Sequence, residues 1–281
     1  MTPNEITPGD VIRVFARRTK WTPTDDLAFY GEPGTPFLGL PRNIPVYVSV
    51  TFTWDKVHGA YLAESWAKEY RRVRLGGPAF GAPQDDFIPG RFINPGVTFT
   101  SRGCPKNCPW CLVPKGEGRL REIPIQPGHI VQDNNLLACS QAHFERVCEM
   151  LSQQRKAAKF SGGLDIDYLT EWHVEQLKKI RVKELWVACD TEGALKKLDK
   201  VADLLSDFPI KKKRCYVLGG FDQMHPDNFE SRCEAVLSKG FLPFAQLYHS
   251  PDHRVNYSPQ WKALARKWSR PGIYRSKRVR K

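Results

Sequence analysis

No apolar run in this chain approaches the length needed to span a bilayer. The longest, such as Val46–Trp54, are of strand length, whereas a spanning helix takes about 20 apolar residues, so no membrane partner is expected. The opening stretch MTPNEITPGD is polar and lacks the apolar segment of a signal peptide. Internal repeats, low-complexity tracts and heptads are absent as well. The eight cysteines show no disulfide-scaffold spacing, which points to a reducing compartment and a cytoplasmic protein. Acidic residues are in short supply: 30 Asp and Glu stand against 43 Lys and Arg, a formal net charge of +13. That balance favours an anionic partner, nucleic acid being the commonest, with a merely solvated basic surface as the alternative. The basic residues cluster at Lys211–Arg214 (KKKR), at Arg275–Lys281 (RSKRVRK) and, near the start, at Arg17, Arg18 and Lys20.

What is present is enough for one substantial core and a small second domain. The chain has 281 residues, 41% of them hydrophobic and 26% charged, ordinary for a globular protein. Residues 1–45 are rich in proline and show little periodicity, with Val11–Arg17 as a candidate short strand. Val46–Trp54 is β-branched and aromatic, hence strand-like. Asp55–Arg71 carries apolar or small residues at Val57, Tyr61, Leu62, Ser65, Trp66 and Tyr70, a helical spacing. Val73–Leu75 is a further short strand, closed by Gly76-Gly77-Pro78. Together these predict one βαβ unit with parallel strands. The Pro- and Gly-rich stretch Pro78–Pro95 reads as a linker.

From Val97 the pattern becomes a regular alternation. Strands are predicted at Val97–Thr100, Ile130–Asp133, Lys159–Ser161, Leu185–Ala188, Cys215–Leu218 and Pro243–Tyr248. Helices are predicted at Gln141–Lys156, Thr170–Ile180, Glu192–Ser206, Pro226–Ser238 and Pro259–Trp268. Six β-type runs alternating with helices predict an α/β fold with a parallel sheet or barrel, and six are too few for a complete eight-stranded barrel. In such folds the functional site lies at the C-terminal ends of the strands. Those ends carry Asp133-Asn134-Asn135, Ser161-Gly162-Gly163, Cys189-Asp190, Gly219-Gly220 and Tyr248-His249.

The first strand runs into TSRGCPKNCPWC, which places Cys104, Cys108 and Cys111 in a CxxxCxxC spacing within a loop stiffened by Pro105 and Pro109. A closed zinc site takes four ligands and an ordinary iron–sulfur cluster four cysteines; the next cysteine is Cys139. Three thiols suit a metal centre with one open position, or a zinc knuckle completed by a histidine such as His129. This motif, with Trp110 just ahead of the third cysteine, resembles that of the radical S-adenosylmethionine (SAM) superfamily, especially the methylthiotransferases and the members with a cobalamin-type domain ahead of the barrel. The resemblance implies a partial (β/α)6 TIM-type barrel over residues 91–270, a small N-terminal βαβ domain over 1–90 and a basic tail over 271–281. It implies a 4Fe–4S cluster on Cys104, Cys108 and Cys111, SAM on the open iron, and an external one-electron reductant of flavodoxin or ferredoxin type.

The same resemblance implies cofactor contacts from Trp110, Gly162, Gly163, Asp190, Gly219 and Gly220. Gly162-Gly163 looks like the family's GGE-type motif, which holds the SAM amino group. Leu164 stands where the acid is usual and Asp165 follows, so an acidic side-chain role does not carry over. The N-terminal βαβ unit covers about half of a cobalamin-binding domain, and DxHxxG is absent: Asp55–Gly59 (DKVHG) has its residue types out of register. Bound cobalamin is therefore not expected. The scattered Cys139, Cys148, Cys189, Cys215 and Cys233 do not indicate a second cluster. The expected function is a radical SAM enzyme acting on an unidentified substrate, a nucleic acid among the candidates. The alternative is a non-catalytic nucleic-acid-binding protein with a structural zinc or iron–sulfur site.

Overall fold

A computed structural model describes residues 7–34, 40–81 and 88–276. The chain forms two compact units. One comprises residues up to Val97 together with Leu112–Gly118 and Ser250–Arg254; the other comprises Thr98–Cys111, Arg119–His249 and the residues from Val255 onward. The expected boundary near residue 90 thus falls at Val97, and two later segments return to the first unit.

The first unit is built on a parallel sheet of β1 (Ile12–Phe15), β2 (Ala28–Tyr30), β3 (Val46–Ser49) and β4 (Val73–Gly76), in the order β2-β1-β3-β4. Helix α1 (Lys56–Ala67) joins β3 to β4. The predicted βαβ unit is therefore half of this sheet. Only Val46–Ser49 of the predicted Val46–Trp54 strand pairs, because Thr53–Asp55 turn into the helix. The buried face of α1 is Gly59, Leu62, Ser65 and Trp66. Val57 and Tyr61, assigned to that face by spacing, are 84% and 48% exposed. Gly59 sets the rotation, since a Cβ there would lie 2.2 Å from Val50. Ile12, Val14, Val46, Val48, Leu62, Trp66 and Tyr70 form the core. A one-turn helix, α2 (Val113–Gly116), belongs to the same unit.

The second unit holds a six-stranded sheet: β5 (Val97–Thr98), β8 (Ile130–Val131), β9 (Ala158–Phe160), β10 (Val182–Ala188), β11 (Lys213–Gly219) and β12 (Leu242–Leu247). Its strands lie side by side in chain order, with parallel pairing from β8 through β12. A short antiparallel pair, β6 (Ser101–Arg102) with β7 (Arg121–Glu122), flanks the cysteine loop. Helices α3 (Gln141–Ser152), α4 (Glu171–Lys178), α5 (Glu192–Leu204), α6 (Pro226–Ser238), α7 (Pro259–Trp268) and α8 (Pro271–Ser276) complete the unit. Side chains alternate across the strands. One face, including Phe160, Leu185, Val187, Cys215, Val217 and Leu242, joins Phe144, Leu177, Leu198 and Phe229 of the helices in a single core.

The other face carries polar and aromatic groups. Lys159 pairs with Glu184 at 2.6 Å, Trp186 Nε1 donates to Glu184 at 2.8 Å, and Trp186, Tyr216 and Phe244 pack ring on ring. This changes the picture of the KKKR cluster. Lys213 is 7% exposed and lies over the Phe241 ring, and the Arg214 guanidinium lies over Trp186. Alternation along β11 turns the buried Lys213 to the core face and the half-buried Arg214 to the face that carries Trp186, so neither is a freely solvated charge. The expected basic tail also differs: Pro271–Ser276 is helical, and the buried Tyr274 stacks on Trp268. The rest of RSKRVRK, residues 277–281, lies outside the described residues.

Candidate metal centre

The three cysteines sit half-buried in the loop between β6 and β7, none of them in a disulfide. The Cys111 N–H donates to the Cys108 carbonyl at 3.0 Å, a tight turn that brings the second and third cysteines together. The thiols feel one another: burial pushes the Cys108 thiol up, as do Cys111, Cys104 and Asp190, while Lys106 opposes the push. Among the described residues no group of three or more His, Cys, Asp and Glu side chains is gathered closely enough to hold a metal ion as the loop stands. The donor set is therefore present without preformed ligand geometry. His129 directly precedes β8, at the end of the parallel sheet opposite the one from which β5 leads into the loop. That placement argues against a zinc knuckle closed by His129. The remaining cysteines are poor candidates as well. Burial pushes Cys139 to about 11 and Cys148 to about 12, and Cys189, Cys215 and Cys233 are wholly buried.

The loop is fastened by residues that lie outside the motif. Lys106, between the first two cysteines, donates to Asp165 at 2.7 Å and to Asp167 at 2.6 Å. Burial lowers the Lys106 ammonium, and the two carboxylates more than offset this, holding it above its ordinary range. Asn135 donates through Nδ2 to Asp165 at 2.8 Å and to Cys104 Sγ at 3.5 Å. Its neighbour Asn134 accepts from the Gly103 N–H at 3.1 Å. Asp133, 1% exposed, accepts from the Thr100 N–H and the Thr100 and Ser101 hydroxyls. The cluster Asp133–Asn135 thus holds the strand and loop ahead of the cysteines. It does not cap α3, whose cap is Ser140.

Each predicted cofactor residue has a definite place. Gly162 is required by packing, since a Cβ would stand 2.2 Å from the Asp133 carbonyl oxygen. Gly163 differs: its φ is +107°, which side chains rarely adopt, and nothing lies within 4 Å of where its Cβ would be. Leu164 turns into the core, and Asp165, the displaced acid, is engaged by Lys106 and Asn135. Trp110 meets Phe221 edge-on at 5.5 Å, and Phe221 meets Tyr248 likewise at 5.0 Å. Asp190 accepts from the Leu218 N–H at 3.0 Å, and burial lifts its carboxyl to about 6. The helix cap beside it is made by Thr191, which accepts from the Ala194 N–H. Gly219 and Gly220 serve packing, their Cβ positions being filled by Phe229 and by Tyr257. The Tyr248 carbonyl accepts from the Tyr257 hydroxyl, and His249 Nδ1 accepts from the Val255 N–H.

Sequence reasoning missed Lys106, Asn135, Asp165 and Asp167 as a group. Lys106 is a motif position free to vary, and its partners lie 59 and 61 residues away. The available signal was the DxD spacing of Asp165 and Asp167 just past the glycine pair. Comparison of the chain with protein-family models finds no match, and comparison with curated proteins finds none either.

Proposed function

We propose that the chain is a radical SAM enzyme with a 4Fe–4S cluster held by Cys104, Cys108 and Cys111. The observation that carries this reading is the set of three half-buried cysteines, none in a disulfide, in one loop at the edge where the strands of a parallel sheet end. Side-by-side strands in chain order, each joined to the next through a helix from β8 onward, support the partial (β/α)6 barrel. The residues present suit the cofactors. Asn135 keeps a buried Oδ1 with no hydrogen-bond partner among the described residues, beside the amide that donates to Cys104. Open space over Gly163 suits the amino-acid end of SAM. When bound, the cluster and SAM supply one-electron cleavage of SAM to methionine and a 5′-deoxyadenosyl radical, which takes hydrogen from an unreactive C–H bond.

The chain's own part is positioning. Lys106 ties the loop to the segment after the third barrel strand, so thiols and glycine pair are held by one clasp. Asn135 donates a hydrogen bond to a ligand sulfur, and such bonds tune a cluster's potential. Asp165 is spent on the loop, so the SAM amino group would rely on backbone at Gly162-Gly163. Trp110, Phe221 and Tyr248 form an aromatic wall suited to an adenine. A nucleic acid remains the favoured macromolecular substrate on charge, and a flavodoxin or ferredoxin would supply the electron.

The test is anaerobic reconstitution with iron and sulfide. The expected product is a brown protein with one 4Fe–4S cluster that, once reduced, converts SAM slowly to 5′-deoxyadenosine. Each of Cys104→Ala, Cys108→Ala and Cys111→Ala should lose the cluster, and Cys148→Ala should keep it. A colourless protein holding one zinc in sulfur-rich coordination would instead support the non-catalytic alternative.

A further inference from the structure

The cluster Arg17, Arg18 and Lys20 has no part in the site described above, and the first unit shows where it belongs. All four strands of that unit run parallel, so their C-terminal ends share one edge. Ligands of open α/β sheets bind outside that edge, at the point where strand order reverses. Here the reversal lies between β1 and β3.

Along this edge, rings and cations alternate. At the end of β2, Tyr30 is 50% exposed, with the Arg18 guanidinium 5.3 Å from its ring centre. Past β1, Arg17 binds the buried Asp55 carboxylate through two hydrogen bonds of 2.7 Å, which ties the β1 and β3 ends together. Past β3, Phe52 and Trp54 stack face to face at 4.8 Å. Lys56 then reaches over Phe80, past β4, which is 47% exposed. Next to Phe80, Gly81 approaches the Gly116 carbonyl of α2 closely, so α2 with its exposed Lys115 extends the row.

Single-stranded nucleic acid is bound by this combination: cations follow the phosphates, and aromatic rings stack on successive bases without regard to sequence. Four strands spaced about 4.8 Å apart span roughly 14 Å. That matches about four stacked nucleotides at 3.4 Å per phosphate. An acidic peptide would engage the cations but give the exposed rings no planar partner. We infer that the C-terminal edge of the first sheet, through Tyr30, Arg18, Lys56 and Phe80, is a binding platform for a short single-stranded stretch of nucleic acid. The inference names the substrate class favoured above, yet binding here does not need the cluster.

The experiment is fluorescence anisotropy of the full-length chain with labelled 12-nucleotide oligo(dT) and oligo(rU), and with a 12-base-pair duplex, at several salt concentrations. Single strands should bind more tightly than the duplex. Tyr30→Ala and Phe80→Ala should each weaken binding about ten-fold with the salt slope unchanged, as expected for loss of one stacked base. Arg18→Gln with Lys56→Gln should lower the slope by about 1.4, two phosphate contacts at roughly 0.7 each. Lys211→Gln should change nothing. All four platform side chains are exposed, and far-UV circular dichroism will report whether each variant folds. Protein with all three loop cysteines replaced by Ala should bind as well as wild type, so loss of the cluster reading would leave this result intact. Equal affinity for the duplex, no binding at low salt, or ring variants that bind like wild type would each overturn the platform. So would competition by polyglutamate as strong as that by unlabelled oligonucleotide.

Discussion

Asp190 carries a pH signature that is independent of any cofactor. Burial raises its carboxyl from an ordinary 3.8 to about 6. The folded chain therefore holds that proton more tightly than the unfolded chain, and stability from this group falls as pH rises from about 4 to 6. A shift of about two units corresponds to roughly 3 kcal/mol, present below pH 4 and lost above pH 6. Asp190→Asn keeps an oxygen to accept the Leu218 N–H and removes the charge. It should be more stable than wild type at pH 7.5 by up to that amount, and the gain should vanish near pH 4. Urea titrations of both proteins at the two pH values check this. At the glycine pair the two positions should separate. Gly162→Ala meets the Asp133 backbone and should fail to fold stably. Gly163→Ala meets open space, so it should fold at a cost of about 1 to 3 kcal/mol for its φ and bind SAM more weakly, which thermal melts and equilibrium dialysis of reconstituted protein will show.

Among the elements, the cysteine loop owes its position to a lysine and two carboxylates. Lys106→Met keeps most of the side-chain length and removes the ammonium. The loop should then move more freely, and Cys104, Cys108 and Cys111 should react with a thiol reagent several-fold faster than in wild type, while Cys189, Cys215 and Cys233 stay protected until unfolding. Stopped-flow thiol titration of the cluster-free chain measures this directly. Equal rates would mean that the clasp is not what holds the loop.

How far the elements could be read from sequence follows from their periods. Helices α6 and α7 were legible to the residue, since each opens on a proline after a capping residue and keeps an apolar spacing to its end. The strands from β9 to β12 were legible within a few residues, because runs such as LWVA and YVL have no helical spacing. Strand β2 was not: three residues, Ala28–Tyr30, cannot display a period, and their pairing with β1 is a long-range matter. The face of α1 was misjudged because Val57 and Tyr61 fit the helical repeat, whereas Gly59, a residue with no hydrophobic signal, faces Val50. At the site, the cysteines were legible from spacing, and the clasp was not, because its partners are joined only by the fold.

At the scale of the whole molecule, neither unit is one continuous stretch. Residues 112–118 and 250–254 belong with the first unit although they follow the cysteine loop and β12. A fragment starting at residue 98 would carry these two segments without the sheet they belong to. It should be less stable than the full chain or aggregate, and size-exclusion chromatography with circular dichroism on residues 98–281 tests that. A folded, monomeric fragment with native melting behaviour would show that the two segments are dispensable. No helix in the described residues is long and apolar enough to cross a membrane.

The same interleaving puts a clock on synthesis. The first 97 residues leave the ribosome early, but the last segment of their unit, ending at Arg254, follows 157 residues later. At about 5–20 residues per second that interval is roughly 8 to 30 s. For all but the first 14 residues of it the cysteine loop has emerged while the unit that continues directly from Cys111 is still incomplete, so a nascent chain has its three thiols accessible before either unit can close. Iron delivery during translation, and equally oxidation during translation, would act within that window.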